Sequence, residues 1–249
     1  MSLRKHIPDA VTSMNLLSGC MGVIAALSGY PGQAFLLMLA GAVFDFFDGM
    51  TARLLGAHSA IGKELDSLAD VVSFGVLPSV SLYEIMRLGG EPLWLSLIPL
   101  VLAVFSALRL ASFNIDERQV DGFIGLPTPA AAMICGSIVY LAVNEPSGFL
   151  ARWCAGPVFV PVLSIVLSAL LVSGIPMFSM KIHKGAEKDI PLMIRRTGFL
   201  TMAAIIAVVV AVMKLNWAAL VLLMFVAYIL MNLVLALVPS SGASSRGTA

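Results

Sequence analysis

Residues 43–75, VFDFFDGMTARLLGAHSAIGKELDSLADVVSFG, decide how the rest of the chain is read. Two largely apolar segments flank a short polar link, and four aspartates lie within them. Asp45 and Asp48 are three residues apart, and Asp66 and Asp70 are four apart. At helical spacing each pair occupies one face, one carboxylate above the other. Because the link is short, the two helices are predicted to be antiparallel neighbours with the acidic pairs facing each other.

The surrounding chain requires a membrane. Apolar residues make up 59% of the sequence and charged residues 12%, about half the usual soluble share. That is too little charge to cover a soluble globule, and several apolar runs reach the ~20 residues that cross a bilayer. Eight spans are predicted, near 9–29, 33–56, 62–86, 94–114, 127–143, 157–174, 198–214 and 217–238. Links such as GYPGQ (29–33) and RLGGEP (87–92) carry turn residues. The expected fold is all-α, a polytopic transmembrane helical bundle forming a single integral membrane domain over 1–238. The Ser/Gly-rich 239–249 tail reads as disordered.

A net charge of +1 offers nothing to a nucleic acid. Cys20, Cys135 and Cys154 are scattered without metal or disulfide spacing and read as packing thiols. His6, His58 and His183 form no cluster and receive no role. Arg4 and Lys5 precede an apolar stretch, but Thr12, Ser13 and Asn15 interrupt it early, so it reads as a retained first span. With a cytoplasmic N-terminus, every Lys and Arg except Arg87, Arg152 and Lys214 falls at a cytoplasmic end. This bias predicts both termini in the cytoplasm and an even number of spans. The acidic pairs then lie about two helical turns inside the cytoplasmic surface.

Four carboxylates this close repel, and each is costly at depth unless paired or solvated. Arg53 and Lys63 supply two compensating charges nearby, not four. A single intramembrane Asp commonly serves helix packing or proton relay, but four at this spacing are best offset by one or two divalent cations. All-oxygen ligands select hard ions such as Mg²⁺, Mn²⁺ or Ca²⁺, which in turn grip phosphate oxygens. Gly49, Ala52 and Gly62 punctuate the same faces and let a ligand approach the backbone.

The pattern Asp45-x2-Asp48-Gly49-x2-Ala52-Arg53-x8-Gly62-x3-Asp66-x3-Asp70 resembles the signature of the CDP-alcohol phosphatidyltransferases. IPDAVTSMNLLSG (7–19), DVVSFGVLPS (70–79), SALRLASFNID (106–116) and FIGLPTPAAA (123–132) are similar to the phosphatidylserine synthase branch. Asp9 departs from that pattern, where Asn is usual. The resemblance covers about six spans, a catalytic core near 1–175. The extra spans at 198–238 lie outside it and would widen the dimer or lipid surface.

The resemblance implies the reaction. CDP-diacylglycerol would donate its phosphatidyl group to the hydroxyl of L-serine, releasing CMP. It also implies a homodimer and two divalent ions, Mg²⁺ or Mn²⁺ with Ca²⁺ as a further choice. Asp45, Asp48 and Asp66 would be metal ligands; Asp70 would touch a metal and act as general base. Asn15, Asp48, Gly49, Ala52, Arg53 and Gly62 would bind the CDP-diacylglycerol. The competing reading of Arg53 is a cytoplasmic anchor, and that of Asn15 a helix–helix hydrogen bond. Arg109 is the acceptor-binding candidate, for the serine carboxylate or a substrate phosphate, against snorkelling to the interface. The basic stretch MKIHKGAEKDIPLMIRR (180–196) reads as a cytoplasmic loop attracted to anionic membrane lipids.

Other alcohols, glycerol 3-phosphate or inositol, fit the same chemistry. In a different class stands a cation transporter using the acidic pairs as an ion path. It would favour broken helices at mid-membrane and repeat symmetry, and the sequence shows no repeat. A structural membrane subunit leaves the aspartate pattern unexplained.

Overall fold

The computed structural model describes residues 6–56, 59–115, 123–178 and 190–237. The expectations for Arg4, Lys5, His58, Arg118, Lys181, His183, Lys184, Lys188, Arg246 and the tail lie outside these residues.

Helix α1 (His6–Leu27) and helix α2 (Pro31–Leu55) form a tight antiparallel hairpin. Pro31 opens α2, where its missing N–H costs nothing. Gly56, left-handed at φ 58°, ends α2 by returning its N–H to the Ala52 and Arg53 carbonyls. Ser59 then caps α3 (Ala60–Asp70), its hydroxyl accepting from the Gly62 N–H at 2.8 Å. The expected single third helix runs on through a π-helical segment, Val71–Val76, into α4 (Leu77–Leu88). This segment begins at the residue after Asp70, and such π turns often mark functional positions.

The fourth apolar run is a short α5 (Leu93–Ser96), a 3₁₀ turn at Ile98–Leu100 and α6 (Val101–Ile115). Strand β1 (Phe123–Ile124) leads into α7 (Thr128–Asn144), followed by α8 (Phe149–Cys154) and α9 (Phe159–Leu171). Strand β2 (Pro176–Met177) pairs antiparallel with β1, Phe123 opposite Met177 and Ile124 opposite Pro176. The chain closes with α10 (Ile190–Val212) and α11 (Trp217–Leu237). Among the described residues this two-residue pair is the only sheet, and the fold is helical.

Among the described residues, six helical stretches are long and apolar enough to cross a membrane: His6–Leu27, Pro31–Leu55, Ala60–Leu88, Leu93–Ile115, Arg195–Val212 and Trp217–Leu237. The expected fifth and sixth spans are present as the shorter apolar helices α7 and α9, of 17 and 13 residues. At 1.5 Å per residue these reach only about 26 and 20 Å of a ~30 Å hydrocarbon layer. One expectation needs correction: residues 190–196 are not loop but the first turns of α10, eight residues before the expected start at Gly198. Two adjacent arginines at a helix end do not break it, because their stems extend outward while the backbone stays helical.

The interior is apolar, as in a soluble protein, but the outer surface is apolar as well. Large apolar side chains such as Ile24, Phe46, Leu54, Ile115, Val212 and Leu237 point outward, as lipid contact requires. Helix α7 is the central strut, buried along nearly its whole length. Phe35 of α2 lies against Tyr140 of α7, with ring centroids 5.9 Å apart, and stacks on Trp217 of α11 at 5.6 Å. A Cβ at Gly136 would run into the Phe35 ring, so this glycine sets the α2–α7 spacing. Helix α11 is therefore built into the core, whereas α10 is largely exposed and lies against α11.

Candidate active site

Helices α2 and α3 bring the acidic pairs together as their spacing predicts. One carboxylate oxygen from each of Asp45, Asp48 and Asp66 lies within 4.8 Å of the others. Asp48 is buried, and its Oδ2 meets no hydrogen-bond donor among the described residues. A buried carboxylate oxygen without a donor is costly unless a cation stands beside it. Three converging carboxylates fit a hard divalent ion, whose ligands are oxygens. Asp70 stands within electrostatic reach of Asp45, Asp66 and Asp48.

Asp70 is held from behind. Asn15, fully buried on α1, donates from Nδ2 to Asp70 Oδ1 at 3.2 Å. The Asn15 backbone carbonyl accepts from Ser73 Oγ at 3.0 Å, and Ser73 belongs to the π-helical segment. Close approach of three helices makes this possible. Side chains at Gly19 or Gly41 would meet Ser73 and the Asn15 amide oxygen respectively. Gly75 lets α6 approach similarly, since a Cβ there would sit 3.0 Å from Ser106 Cβ.

Space beside the cluster differs from side to side. A Cβ on Gly49 would meet nothing within 4 Å, so the surface next to Asp48 is open. At Gly62 a Cβ would stand 2.8 Å from Asp9 Oδ1 and 2.9 Å from Ser59 Oγ. The Asp9 side chain of α1 thus lies directly against Gly62 of α3. Ala52 is half-buried on α2, and Arg53 is exposed, folding Nε onto the Gly49 carbonyl at 2.9 Å.

Arg109 does not snorkel. It is buried on α6, donates from a terminal nitrogen to Thr128 Oγ1 at 3.3 Å, and sits over the Phe113 ring at 5.3 Å. Asp70 is within its electrostatic reach. Toward the end of α6, Asn114 donates to Ser67 Oγ at 2.8 Å, and Lys63 Nζ donates to the Asn114 carbonyl at 3.1 Å. Sequence reasoning gave Asn114, Ser67 and Thr128 no role. A polar residue five positions beyond Arg109 on an apolar span was the available signal. Tyr228 and Asn232, four apart in the last span, were another.

Residues 5–171 match the CDP-alcohol phosphatidyltransferase family. The chain belongs to the CDP-alcohol phosphatidyltransferase family. Among its relatives is a CDP-diacylglycerol–serine O-phosphatidyltransferase of Bacillus subtilis, 35% identical over 178 residues, covering 72% of this chain and 93% of the relative. A Mycobacterium tuberculosis protein of the same name is 36% identical over 189 residues, covering 70% of this chain and 61% of its own length. The archaetidylserine synthase of Methanothermobacter thermautotrophicus is 31% identical over 166 residues, covering 66% and 68%. The chain thus spans about three fifths of its mycobacterial relatives. Asp45, Asp48, Asp66 and Asp70 all lie inside the matched region. Helices α10 and α11 lie beyond the matched region.

Proposed function

We propose that this family member is a CDP-diacylglycerol–serine O-phosphatidyltransferase, making phosphatidylserine and CMP. The observation that carries the reading is the Asp45–Asp48–Asp66 cluster with Asp70 fastened beside it by Asn15. The serine-using relatives support the acceptor. When bound, divalent metal, Mg²⁺ or Mn²⁺ and two ions in this reading, would be held by Asp45, Asp48, Asp66 and one oxygen of Asp70. It would supply neutralising charge at the diphosphate.

The chain's own residues do the rest. Gly49 and Ala52 leave room for the nucleotide next to Asp48, and Gly62 on α3 contributes to binding the same substrate. Arg53 and Asn15 attend the diphosphate side, and Asn15 also holds Asp70 in orientation. Asp70 accepts the proton of the serine hydroxyl. The bond from serine oxygen to the phosphatidyl phosphorus forms as the bond from that phosphorus to the CMP oxygen breaks. CMP departs with the electron pair. Arg109 binds the serine carboxylate through its planar donor fork.

The bundle carries this out as an eight-span membrane protein in which α7 and α9 complete the set. Both termini and the site mouth face the cytoplasm, and two copies associate as a homodimer. Serine and CMP reach the mouth from water, and the diacylglycerol tails enter sideways from the bilayer. The test offers purified protein CDP-diacylglycerol with labelled serine, glycerol 3-phosphate or inositol. Each is tried with Mg²⁺, Mn²⁺, Ca²⁺ or chelator. Label in lipid from serine alone, lost on chelation, is expected; label only from another alcohol would sink the serine assignment.

A further inference from the structure

Helix α11 lies beyond the family match, yet hydrogen bonds and two short chain segments link it to Arg109. Tyr228 Oη donates to the Phe178 carbonyl at 3.0 Å, and Asn232 Oδ1 accepts from the Phe178 N–H at 3.0 Å. Asn232 Nδ2 is itself held by the Tyr228 carbonyl at 2.8 Å. One residue, Phe178, is thus gripped at both backbone polar groups by a single helix turn. The grip is buried and sealed by the Phe178, Phe199 and Tyr228 rings, whose centroids lie 5.2 to 6.0 Å apart. Phe178 immediately follows β2, and β2 pairs with β1.

Past β1, the Gly125 N–H donates to the Ile175 carbonyl and the Leu126 N–H to the Leu170 carbonyl, both at 2.9 Å. Gly125 has φ 80° and lies so near the Leu171 carbonyl that a Cβ would collide with it. Two residues later α7 begins at Thr128, whose hydroxyl accepts from Arg109. Tyr228 also lies within electrostatic reach of Arg109.

The geometry points to α11 as a working part of the acceptor side: Tyr228 and Asn232 are positioning residues that hold Thr128, and through it Arg109, by way of the β1–β2 pair. The functional half rests on Arg109 binding the acceptor, as proposed above. The mechanical half does not. Only part of α11 faces inward, but that part clamps both backbone groups of one residue, which lipid-facing bulk would not do. It explains why a helix outside the family core is anchored at its start by Trp217 on Phe35 and at mid-length by Tyr228 on Phe178.

The test compares full-length wild type with Tyr228→Phe and Asn232→Leu in detergent. Loss of one such hydrogen bond is expected to raise KM for serine about three- to tenfold, with KM for CDP-diacylglycerol unchanged. In an Arg109→Lys background, Tyr228→Phe should add little further change, because both act through one group. Hydrogen exchange at the 123–128 peptide should quicken in both variants, whatever the acceptor. Unchanged exchange would overturn the link itself. Quickened exchange with an unmoved acceptor KM would overturn its role in binding. If wild type uses a different alcohol, the serine assignment fails, and the KM for that alcohol then decides this proposal. Tyr228→Phe removes a single oxygen, so a folding loss confined to Asn232→Leu leaves the comparison intact.

Discussion

At the scale of single residues, the aspartates are unequal in their surroundings. Asp48 is buried, with one oxygen lacking a donor, while Asp45 and Asp66 are half-exposed partners in the same cluster. Replacing Asp48 with Asn is expected to lower CMP formation at least about 100-fold, because charge stabilisation at the phosphate is lost. Mn²⁺ binding followed by electron paramagnetic resonance should weaken in parallel; full activity with intact metal binding would remove Asp48 from the site. Asn15 is a different kind of residue, because it reaches Asp70 rather than the cluster. Asn15→Leu, close in volume but without a donor, should reduce kcat by about tenfold and raise the CDP-diacylglycerol KM while the serine KM holds, the effect of a misaimed base beside the diphosphate. A rise confined to the CDP-diacylglycerol KM would instead make Asn15 a donor-binding residue only.

At the scale of elements, the π-helical segment and two buried polar features set where the site residues point. The segment after Asp70 turns Ser73 toward α1, where it bonds the Asn15 carbonyl. At the other end of the same span, fully buried Glu84 is held in a two-point pair by Arg87 on its own helix, Nε to Oε2 at 2.8 Å. Arg87→Ala strands a buried carboxylate, so it should lower the melting temperature more than Glu84→Gln, which keeps the shape and removes the charge. Equal melting temperatures for the two variants would mean the pair carries no such asymmetry. Gly125→Ala imposes a left-handed backbone on a residue with a Cβ and drives that atom into the Leu171 carbonyl. A loss of about 1–3 kcal/mol in unfolding free energy is expected by denaturant titration.

At the scale of the whole molecule, the orientation is open to a direct measurement. In a background with Cys20, Cys135 and Cys154 replaced, a single cysteine at Glu91 should react with an impermeant thiol reagent on intact cells. One at Ser59, beside the site mouth, should react only after permeabilisation. The reverse pattern would invert the proposed topology. The proposed eight-span count likewise depends on α7 and α9, which are short for a bilayer. Their ends are joined to others by β1–β2 and by the α11 clamp rather than lying bare in lipid. Such internal satisfaction is what allows irregular backbone at membrane depth.

Sequence by itself determined the membrane class, the run of apolar helices and the convergence of Asp45, Asp48 and Asp66. Hydropathy and a 3.6-residue period are local properties that do not depend on the rest of the fold. The same locality explains its misplacement of the start of α10, where charge was read as loop. Beyond the aspartate cluster, whose two helices a short link sets side by side, tertiary structure alone decided which polar groups meet across helices. It put Asn15 on Asp70, turned Arg109 inward to Thr128, and set Asp9 against Gly62. It also gave the last helix its grip on Phe178, residues 50 and 54 positions apart in the chain. These contacts follow from rotation and close approach of helices, which Gly19, Gly41 and Gly75 permit around Asn15 and Ser73, and no single window of sequence contains them.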